Sequence, residues 1–365
     1  MSIYPLFRKL LFKIDPELAH NISHHTGSSV ANFEIARKAL KKLFVVQSPA
    51  LVSELFRTQF INPVGLAAGF DKNGTMPTLM EHLGFGFLEV GSVSYHPATG
   101  NPKPRLFRLP EDGALINRMG LNNVGAEEVL NNLKKHYLDI PVGINIVKTN
   151  RPNIFGDDAI QDIVKCFEVV RQMSDFIVVN VSCPNTEDGK TFEDPIALKN
   201  LLSALLKSRD YFGSIVPILV KFSADLSIEQ LSNLIELACE YSVDGFVLTN
   251  TSLKRDGLKT NSAEIESMGK GGLSGKPIYS QMIKKIKAAY KLTKGKKVLI
   301  AVGGIDSSSD AYDAIKSGAS LVELYTGLVY EGPGLIKRIN KGLLKYLERD
   351  GLNNIKEAVG VDVTI

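Results

Sequence analysis

Short apolar runs recur along the chain from residue 64 onward, and longer segments with helix-like periodicity separate them. This alternation is typical of β/α units built around a parallel sheet, where each strand is followed by a helix that covers it. Eight runs fit the pattern: VGLAAG (64–69), FLEVGSV (87–93), VGINIV (142–147), DFIVVNVS (175–182), PILVKF (217–222), GFVLTNT (245–251), VLIAVGG (298–304) and LVELYTG (321–327). Eight units over about 300 residues predict an α/β fold, a (β/α)8 TIM barrel.

Polar segments interrupt this repeat at three places. They are the loop from Ser94 to Val124, the stretch from Thr251 to Lys270, and the residues that follow Pro184. Each comes after the carboxyl end of a predicted strand, which is the face where barrel enzymes place their active sites. We therefore expect the chemistry of the protein at this face.

The first 46 residues lie outside the repeat and predict a helical extension (1–46) before a barrel domain (47–365). Asp15 as N-cap and Pro16 at the first helical position predict a helix start. We expect two short amphipathic helices that end in the basic pair at 41–42. They could cap the bottom of the barrel, or lie in a membrane interface with the apolar side toward lipid, and composition alone leaves both open.

The composition narrows the possible classes of protein. At 365 residues, with 44% hydrophobic and 22% charged content, the chain can bury a large core. The net charge of +4 is too small to indicate nucleic-acid binding, and seven basic against three acidic residues in the extension account for all of it. No apolar run approaches the roughly 18 to 20 residues of a membrane span, and no signal-peptide pattern is present. The three cysteines are widely separated, so we expect neither a disulfide framework nor a metal site.

Polar side chains gather at the predicted carboxyl ends of the strands and in the loops after them. Those at strand ends are Asn145, Asn180, Lys221, Thr249, Asn250 and Thr251, and those in the loops are Lys72, Asn117 and Asn122. Any one of them alone is more often a structural polar group than a ligand. Together they predict an amide-rich pocket with two cations, suited to a planar heterocycle with carbonyl and N–H edges and a negative charge.

Glycine clusters mark another part of this pocket. GKGGLSG (269–275) precedes the seventh strand, VGG (302–304) ends it, and YTG (325–327) ends the eighth. Because turns need glycine, one cluster alone is weak evidence. The loops after the last two strands of such barrels often bind phosphate through backbone N–H groups, so the position of these clusters favours a phosphate site.

Cys183 follows the fourth strand, in NVSCPNTEDG (180–189). A free cysteine is usually a small buried apolar group, which is our interpretation of Cys166 and Cys239 in helix-like segments. Cys183 lies instead on the expected catalytic face, and a thiol pKa of about 8.5 allows it to accept a proton without an elaborate relay. No histidine or carboxylate stands beside it in sequence, so a Cys–His nucleophile is not supported.

Ten stretches occur in order along the barrel: NPVGLAAGFDKNG (62–74), GNPKPRLFRL (100–109), NRMGLNN (117–123), GINI (143–146), NVSCPNT (180–186), VKFSAD (220–225), LTNT (248–251), GGLSGKP (271–277), VGGI (302–305) and YTGLVYEGPG (325–334). In this combination the chain resembles dihydroorotate dehydrogenase, the flavin enzyme family of pyrimidine biosynthesis. The combination is far more specific than any one stretch, and it covers the whole barrel.

The segment DPELAH (15–20), together with GNPKPRLFRL, resembles the quinone-reducing, membrane-associated branch (class 2) of that family. The resemblance implies that the N-terminal helices contact a membrane surface and form a tunnel for the quinone, with His20 and Arg108 at its entrance. We also expect a monomer, without a nucleic-acid partner. The absence of a transit-type leader favours a peripheral location on the cytoplasmic side of a cell inner membrane.

The resemblance also implies roles for individual residues. FMN would be held at its ring and ribityl chain by Ala67, Ala68, Gly69, Lys72, Ser92, Asn145, Asn180, Lys221 and Thr249, and at its phosphate by Gly275, Gly304, Tyr325 and Thr326. Dihydroorotate would be bound by Lys72, Asn117, Asn180, Asn185, Asn250 and Thr251. A cation near flavin N1 stabilises the anionic reduced flavin, and amides fix the pyrimidine edge.

In the implied mechanism, Cys183 removes a proton from C5 of dihydroorotate while a hydride passes from C6 to the flavin, giving orotate, and a quinone then reoxidises FMN. Two residues depart from the quinone branch, which usually has serine at the position of Cys183 and phenylalanine at that of Leu121. A thiol loses its proton more readily than a hydroxyl, so we hypothesise that the two departures are coupled.

Two alternatives stay open on the sequence. A soluble dihydroorotate dehydrogenase that uses fumarate or NAD is favoured by Cys183 alone. A non-catalytic barrel could instead bind a phosphorylated metabolite and use the N-terminal helices as a membrane tether. Acceptor preference would separate the first from the quinone enzyme, and the yellow colour of a bound flavin would separate the second.

Overall fold

A computed structural model of the chain describes residues 4–182 and 191–364. The strands are β1 (Ser53–Leu55), β2 (Thr58–Phe60), β3 (Val64–Leu66), β4 (Phe87–Val93), β5 (Leu106–Leu109), β6 (Ala114–Asn117), β7 (Val142–Ile146), β8 (Phe176–Asn180), β9 (Ile218–Phe222), β10 (Gly245–Leu248), β11 (Gly272–Gly275), β12 (Val298–Val302) and β13 (Leu321–Leu324). The helices are α1 (Tyr4–Leu11), α2 (Pro16–Ala31), α3 (Glu34–Phe44), α4 (Pro77–His82), α5 (Ala126–Leu133), α6 (Gly156–Val170), α7 (Pro195–Tyr211), α8 (Ile228–Glu240), α9 (Ser262–Met268), α10 (Tyr279–Thr293), α11 (Ser308–Lys316), α12 (Thr326–Glu331) and α13 (Leu335–Asp350).

Eight of these strands close into a parallel barrel in the order β3, β4, β7, β8, β9, β10, β12 and β13, with β13 paired to β3. Each lies within one of the eight apolar runs, so the TIM-barrel prediction is confirmed. Several strands end earlier than the run that predicted them. β10 stops at Leu248, and the polar residues through Thr251 turn toward a cavity at this end of the barrel.

Aromatic rings fill the amino-terminal half of the barrel interior. Phe60, Phe87 and Phe176 are fully buried, and the ring centroids of Phe60 and Phe87 lie 5.5 Å apart. Glycines make room for these rings, since a Cβ on Gly65 would come within 2.2 Å of Phe87 and one on Gly143 within 2.1 Å of Phe176. The antiparallel β1–β2 hairpin delivers Phe60 to this layer and closes the amino-terminal end. The carboxyl-terminal end of the barrel interior therefore has room for a ligand.

The insertion between Ser94 and Val124 is folded, so the expectation of a polar loop is wrong. β5 and β6 form an antiparallel pair, and β11, which follows the second insertion, joins β6 to complete a three-stranded sheet. Leu109, Ile116 and Leu273 pack together in a small apolar cluster, and burial of these side chains is the physical reason that the segment pairs. The sheet forms one wall of the cavity at the strand ends.

Three helices, α1 to α3, precede the barrel, where the sequence predicted two. The predicted helix start is correct, because the Asp15 carboxylate accepts a hydrogen bond from Leu18 N at 2.9 Å and Pro16 is the first helical residue. α2 ends at Ala31, and the backbone N–H of the capping residue Asn32 donates to the carbonyl oxygens of Ser29 and Val30. The polar run TGSS before it carries no apolar periodicity from which this boundary could be read. The boundary at residue 46 stays a prediction.

A buried ion pair joins the extension to the first insertion. Arg105 donates from Nη2 to Glu17 Oε1 at 2.8 Å and from Nε to Glu17 Oε2 at 3.2 Å. Arg105 Nη1 also donates to the carbonyl oxygens of Thr99 and Asn101. The hydrogen bonds from Arg105 lower the pKa of Glu17, against the opposing effect of burial. Separating the two side chains would leave a buried charge without its partner, which is strongly unfavourable. The pair therefore holds α2 in one orientation on the barrel.

Candidate active site

A cavity opens among the carboxyl ends of the barrel strands, where the sequence predicted the site. The predicted residues that line it are Ala67, Ala68, Gly69, Lys72, Ser92, Asn117, Asn180, Lys221, Thr249, Asn250, Thr251, Gly275, Gly304, Tyr325 and Thr326. Parallel strands in a closed barrel end at one rim, which is why residues from the first and last units meet. The wall from the inserted sheet adds Leu106 and Leu115, so the cavity combines polar and apolar surfaces.

Amides and hydroxyls form a network on the β8 side of this cavity. Asn180 Nδ2 donates to Ser92 Oγ at 3.2 Å, and Asn180 Oδ1 accepts from Ser182 Oγ at 3.1 Å and from Asn250 Nδ2 at 3.3 Å. Asn250 Oδ1 in turn accepts from Thr251 N at 2.7 Å. Each amide is therefore fixed by its partners, and a ligand would meet an edge of donors and acceptors that is already oriented.

Three ionisable side chains, Glu89, Lys221 and Glu323, form the floor of the cavity and are called the floor cluster below. Lys221 Nζ lies 3.1 and 3.0 Å from the two carboxylate oxygens of Glu89, and 3.7 Å from Glu323 Oε2. Burial acts to lower the pKa of Lys221, but Glu89 and Glu323 outweigh it and the pKa is raised. The site thus keeps a cation in its floor, which suits a ligand that gains negative charge.

Glycines and a helix start form the end of the cavity that was predicted to bind phosphate. Gly275 and Gly304 have φ angles of +100° and +77°, and a Cβ on Gly304 would lie 2.6 Å from Tyr279 Cβ. α12 begins here at Thr326, whose hydroxyl lies 2.8 Å from Ser274 Oγ. The first backbone N–H groups of a helix have no partner within the helix, so this end offers donors to an anion.

Lys72 lies between this cavity and a second one beneath α2, and it lines both. Its Nζ donates to Gly69 O at 2.8 Å. The pKa of Lys72 is lowered to about 8, because desolvation and the charge of Arg105 together outweigh the opposing effects of Glu17 and Asp71. A lysine in this position is still largely protonated near neutral pH, but it titrates far more readily than a lysine in water.

The second cavity is connected to the first by a series of ring contacts. His20 packs edge-on against Phe70 with centroids 5.0 Å apart, and Phe70 packs against Tyr325 at 5.4 Å. Tyr325 lines both cavities. Burial lowers the pKa of His20 to about 4, with added effects of Lys72 and His24, so His20 is neutral at neutral pH. Polar side chains of α2 dominate the rest of the lining.

Two other predicted residues lie away from the cavity linings. Asn145 is fully buried next to the floor cluster, where its Nδ2 donates to Glu89 Oε1 at 2.5 Å. Arg108 lies in the interface with the extension, where it donates to Ile14 O at 2.8 Å and its guanidinium lies 4.6 Å from the centre of the Phe12 ring. His20 lines the second cavity and Arg108 does not, so the two predicted quinone residues are not brought into one lining.

The structure describes two of the three cysteines, Cys166 and Cys239. Cys183, the predicted base, and Asn185, a predicted substrate ligand, lie outside the described residues. Cys166 is fully buried, as expected for a structural thiol, and burial raises its pKa well above the usual value. Cys239 on α8 is only partly buried.

Several residues of the site were not identified from the sequence. Ser182 gave no signal that separates it from any other serine at a strand end. Glu89 and Glu323 did give a signal in the sequence, because each is the single charged residue in an otherwise apolar strand run, FLEVGSV or LVELYTG. Leu121, noted as unusual, lines the cavity with a φ of +57°, a left-handed backbone conformation that is uncommon for leucine.

The family model of dihydroorotate dehydrogenase matches residues 50–347 of the chain. Among curated proteins, a dihydroorotate dehydrogenase (quinone) from Natronomonas pharaonis is 42% identical over 364 residues, which is 100% of both chains. Proteins of the same name from Rhodococcus erythropolis and Mycobacterium tuberculosis are 40% and 39% identical, covering 99% and 98% of both chains.

Solved structures agree with this match. A ligand-free DHODH from Eimeria tenella superposes with a TM-score of 0.86 at 32% identity, covering 96% of this chain and 100% of the other. The Eimeria tenella DHODH in complex with ferulenol gives 0.84 at 33% identity, covering 95% and 96%.

Replacing Lys72 by methionine should stabilise the ligand-free protein near neutral pH. The pKa of Lys72 is about 8 in the folded protein, but about 10.4 in an unfolded chain. The folded state therefore carries a cost of protonation below about pH 8, and this cost disappears as the pH rises from about 8 to about 10.4. Denaturant titrations should show a more stable variant at pH 7, with a difference that shrinks across this window. The exposed Lys134→Met is the matched control, and a difference independent of pH would contradict the interpretation.

Proposed function

The chain belongs to the dihydroorotate dehydrogenase family, and from that premise we propose that it oxidises dihydroorotate to orotate in pyrimidine biosynthesis, with FMN as cofactor and a quinone as electron acceptor. The observation that carries the proposal is the match of the whole chain, extension included, to relatives named as quinone enzymes. The protein is thus an FMN-dependent oxidoreductase, and neither a fumarate- or NAD-linked enzyme nor a non-catalytic barrel is favoured.

The described residues of the cavity fit FMN. Thr249 Oγ1 and Asn145 Oδ1 are buried without a hydrogen-bond partner among the described residues, and buried polar atoms of this kind normally have one. Gly275 and Gly304 allow neighbouring segments to pack closely at the phosphate end, because a Cβ would lie 2.4 Å from Gly113 O at the first position and 2.6 Å from Tyr279 Cβ at the second. When bound, FMN supplies reversible two-electron chemistry that no side chain offers.

We assign the cofactor contacts as the resemblance implies. The ring and ribityl chain would be held by Ala67, Ala68, Gly69, Lys72, Ser92, Asn145, Asn180, Lys221 and Thr249, and the phosphate by Gly275, Gly304, Tyr325 and Thr326. The position of these residues at one strand-end cavity supports the assignment for all but Asn145, which lies just below the lining. In this arrangement Lys221 would supply a cation to the ring end of the cavity, where it would stabilise the negative charge of a reduced flavin.

Dihydroorotate would bind above the flavin, between Lys72 and the amide network. The proposed ligands are Lys72, Asn117, Asn180, Asn250 and Thr251, with Asn185 from the segment outside the described residues. Lys72 would pair with the substrate carboxylate, and the oriented amides would match the carbonyl and N–H edge of the ring. Binding in one orientation would align the C5 and C6 hydrogens with the groups that receive them.

Cys183 would be the base that removes the C5 proton. The support is positional, because Cys183 follows Ser182 directly, and Ser182 is hydrogen-bonded to Asn180 and Asn250 in the proposed substrate site. As a thiolate, Cys183 would accept the proton while the hydride of C6 leaves with its electron pair. The product ring then gains the C5–C6 double bond of orotate.

The quinone would approach through the extension, near His20 and Arg108. His20 faces the ring series that leads to Tyr325 and the flavin cavity, and Arg108 fixes the end of the α1–α2 connection. The two residues would therefore act at different points of the route.

The extension would also contact a membrane surface peripherally. Leu6, Phe7 and Leu10 of α1 and Ile35 of α3 are each more than half exposed, beside the basic residues of the same helices. Among the described residues, no helix is both long enough and apolar enough to cross a bilayer. We propose a monomer that rests with this apolar and cationic surface on the cytoplasmic side of a cell inner membrane.

Acceptor preference tests the function. Dihydroorotate oxidation should be fastest with a short-chain quinone and far slower with fumarate or NAD, since the chain matches quinone enzymes along its full length. The three acceptors are compared on one preparation whose FMN content is known from its absorbance. A protein that prefers fumarate, or one that never retains FMN, would contradict the proposal.

Cys183→Ser tests the proposed base. A hydroxyl is far less acidic than a thiol, so flavin reduction by dihydroorotate should slow by on the order of ten-fold or more near neutral pH and recover toward high pH. Stopped-flow bleaching of the flavin measures this step without the quinone. Cys239→Ser on α8 is the matched control and should behave as wild type. An unchanged rate and pH profile in Cys183→Ser would remove thiol acidity from the mechanism.

Vesicle binding tests the membrane contact. Leu6→Asp and Leu10→Asp place charges on the exposed apolar side of α1 and should reduce the fraction that sediments with anionic phospholipid vesicles several-fold. The control is Ile215→Asp, because Ile215 is 80% exposed and belongs to the loop between α7 and β9 of the barrel. Equal binding of all three variants would contradict a membrane contact through α1.

A further inference from the structure

The floor cluster is the most buried group of charges in the described part of the barrel interior. Glu89 is 0%, Glu323 1% and Lys221 5% exposed, and they project from β4, β13 and β9. Lys221 and Glu323 also line the cavity assigned to FMN, whereas Glu89 lies below it. The cluster contains one cation and two carboxyl groups, so its net charge depends on whether both carboxyls are ionised.

The two carboxyl groups have different surroundings. Glu89 is hydrogen-bonded through both oxygens to Lys221 and through Oε1 to Asn145 as well. Glu323 is at an ion-pair distance of 3.7 Å from Lys221, and its oxygens make no hydrogen bond of normal geometry among the described residues, although Glu89 and Lys221 are near enough to shift its pKa. A carboxylate that is buried without hydrogen bonds is very costly, whereas a protonated carboxyl in the same place costs much less.

The residues in register with Glu323 on the two neighbouring strands add no charge to compensate for a second carboxylate. In register with it are Gly65 on β3 and Val302 on β12. Among the described residues, Lys72 and Tyr325 are the other titratable groups that line the cavity, and both also line the second cavity. Burial raises the pKa of Glu323 well above the usual value, Glu89 raises it further, and Lys221 opposes them.

We propose that Glu89 and Glu323 share one proton, so that together they carry a single negative charge that balances Lys221 at the floor of the cofactor cavity. Glu323 holds the proton when both residues are present. The proposal rests on the assignment of this cavity to FMN. It makes Glu323 a positioning residue, which acts on the cofactor through the charge of the cluster.

The shared proton matters because reduction of a flavin to its anionic form adds one negative charge. With one proton shared, the floor cluster is neutral and does not oppose this charge. With both carboxyls ionised, the cluster would carry a net charge of −1 next to the ring and would disfavour the reduced form. The pair therefore sets the reduction potential of the cofactor without changing the groups that contact it.

Flavin midpoint potentials of the holoenzyme at pH 7 test the proposal, with Glu323→Gln, Glu89→Gln and the double variant. Each single variant removes one carboxyl group, and the remaining carboxylate still balances Lys221. The midpoint potential reports the ratio of FMN affinities for the reduced and oxidised states, and this ratio should stay within about two-fold of wild type. The double variant leaves Lys221 unbalanced and should shift that ratio toward the reduced form by on the order of ten-fold or more. Glu54→Gln, at an exposed position of the β1–β2 hairpin, is the control.

The possible outcomes are distinct. A higher potential in Glu323→Gln alone would mean that both carboxyls are ionised in the wild type, and a wild-type potential in the double variant would mean that the cluster does not act on the cofactor. Either result overturns the proposal. If the double variant does not retain FMN, infrared spectra of wild type and Glu323→Gln provide the test. The carbonyl band of a protonated carboxylic acid should be present in wild type and absent in Glu323→Gln. Absence of this band from wild type would also overturn the proposal. Wild-type FMN content and dihydroorotate oxidation report separately on the function itself.

Discussion

Closure of the eight parallel strands over a packed aromatic layer is the constraint on which the rest of the structure depends. Phe60, Phe87 and Phe176 fill the amino-terminal half of the barrel, and Gly65 and Gly143 leave the space that the rings need. Since that half is full, a ligand has room at the opposite end, where the carboxyl ends of all eight strands converge. The same geometry turns polar residues that are far apart in sequence into one site.

The polar layer above the rings contains buried groups whose hydrogen bonds a bound cofactor would complete. Lys221 and its two carboxyl partners are buried, and Thr249 and Asn145 each keep a buried oxygen without a partner among the described residues. Such groups are expensive in a protein interior unless something else completes their hydrogen bonds. A flavin with a polar edge would do so, which explains why the barrel can tolerate a charged floor directly above an aromatic core.

The extension is bound to the barrel by specific polar contacts as well as by packing. The Glu17–Arg105 pair fixes α2 against the first insertion, and it also contributes to the electrostatic environment of Lys72 between the two cavities. α2 in turn carries His20, which reaches the flavin cavity through Phe70 and Tyr325. The orientation of the extension and the electrostatics of the substrate side are therefore parts of one arrangement.

The sequence by itself determined the fold class, all eight barrel strands, the helix start at Asp15 and fifteen of the residues that line the cavity. These follow from local signals, namely apolar periodicity, capping chemistry and motifs that resemble a known family, and the closure of a barrel makes their positions predictable. The tertiary structure alone decided that the first insertion pairs with Gly272–Gly275 into a sheet, that Arg105 meets Glu17, and that Glu89, Lys221 and Glu323 form one cluster. Each of these is a contact between segments far apart in the chain, whose energy depends on burial and on distances that no local pattern contains.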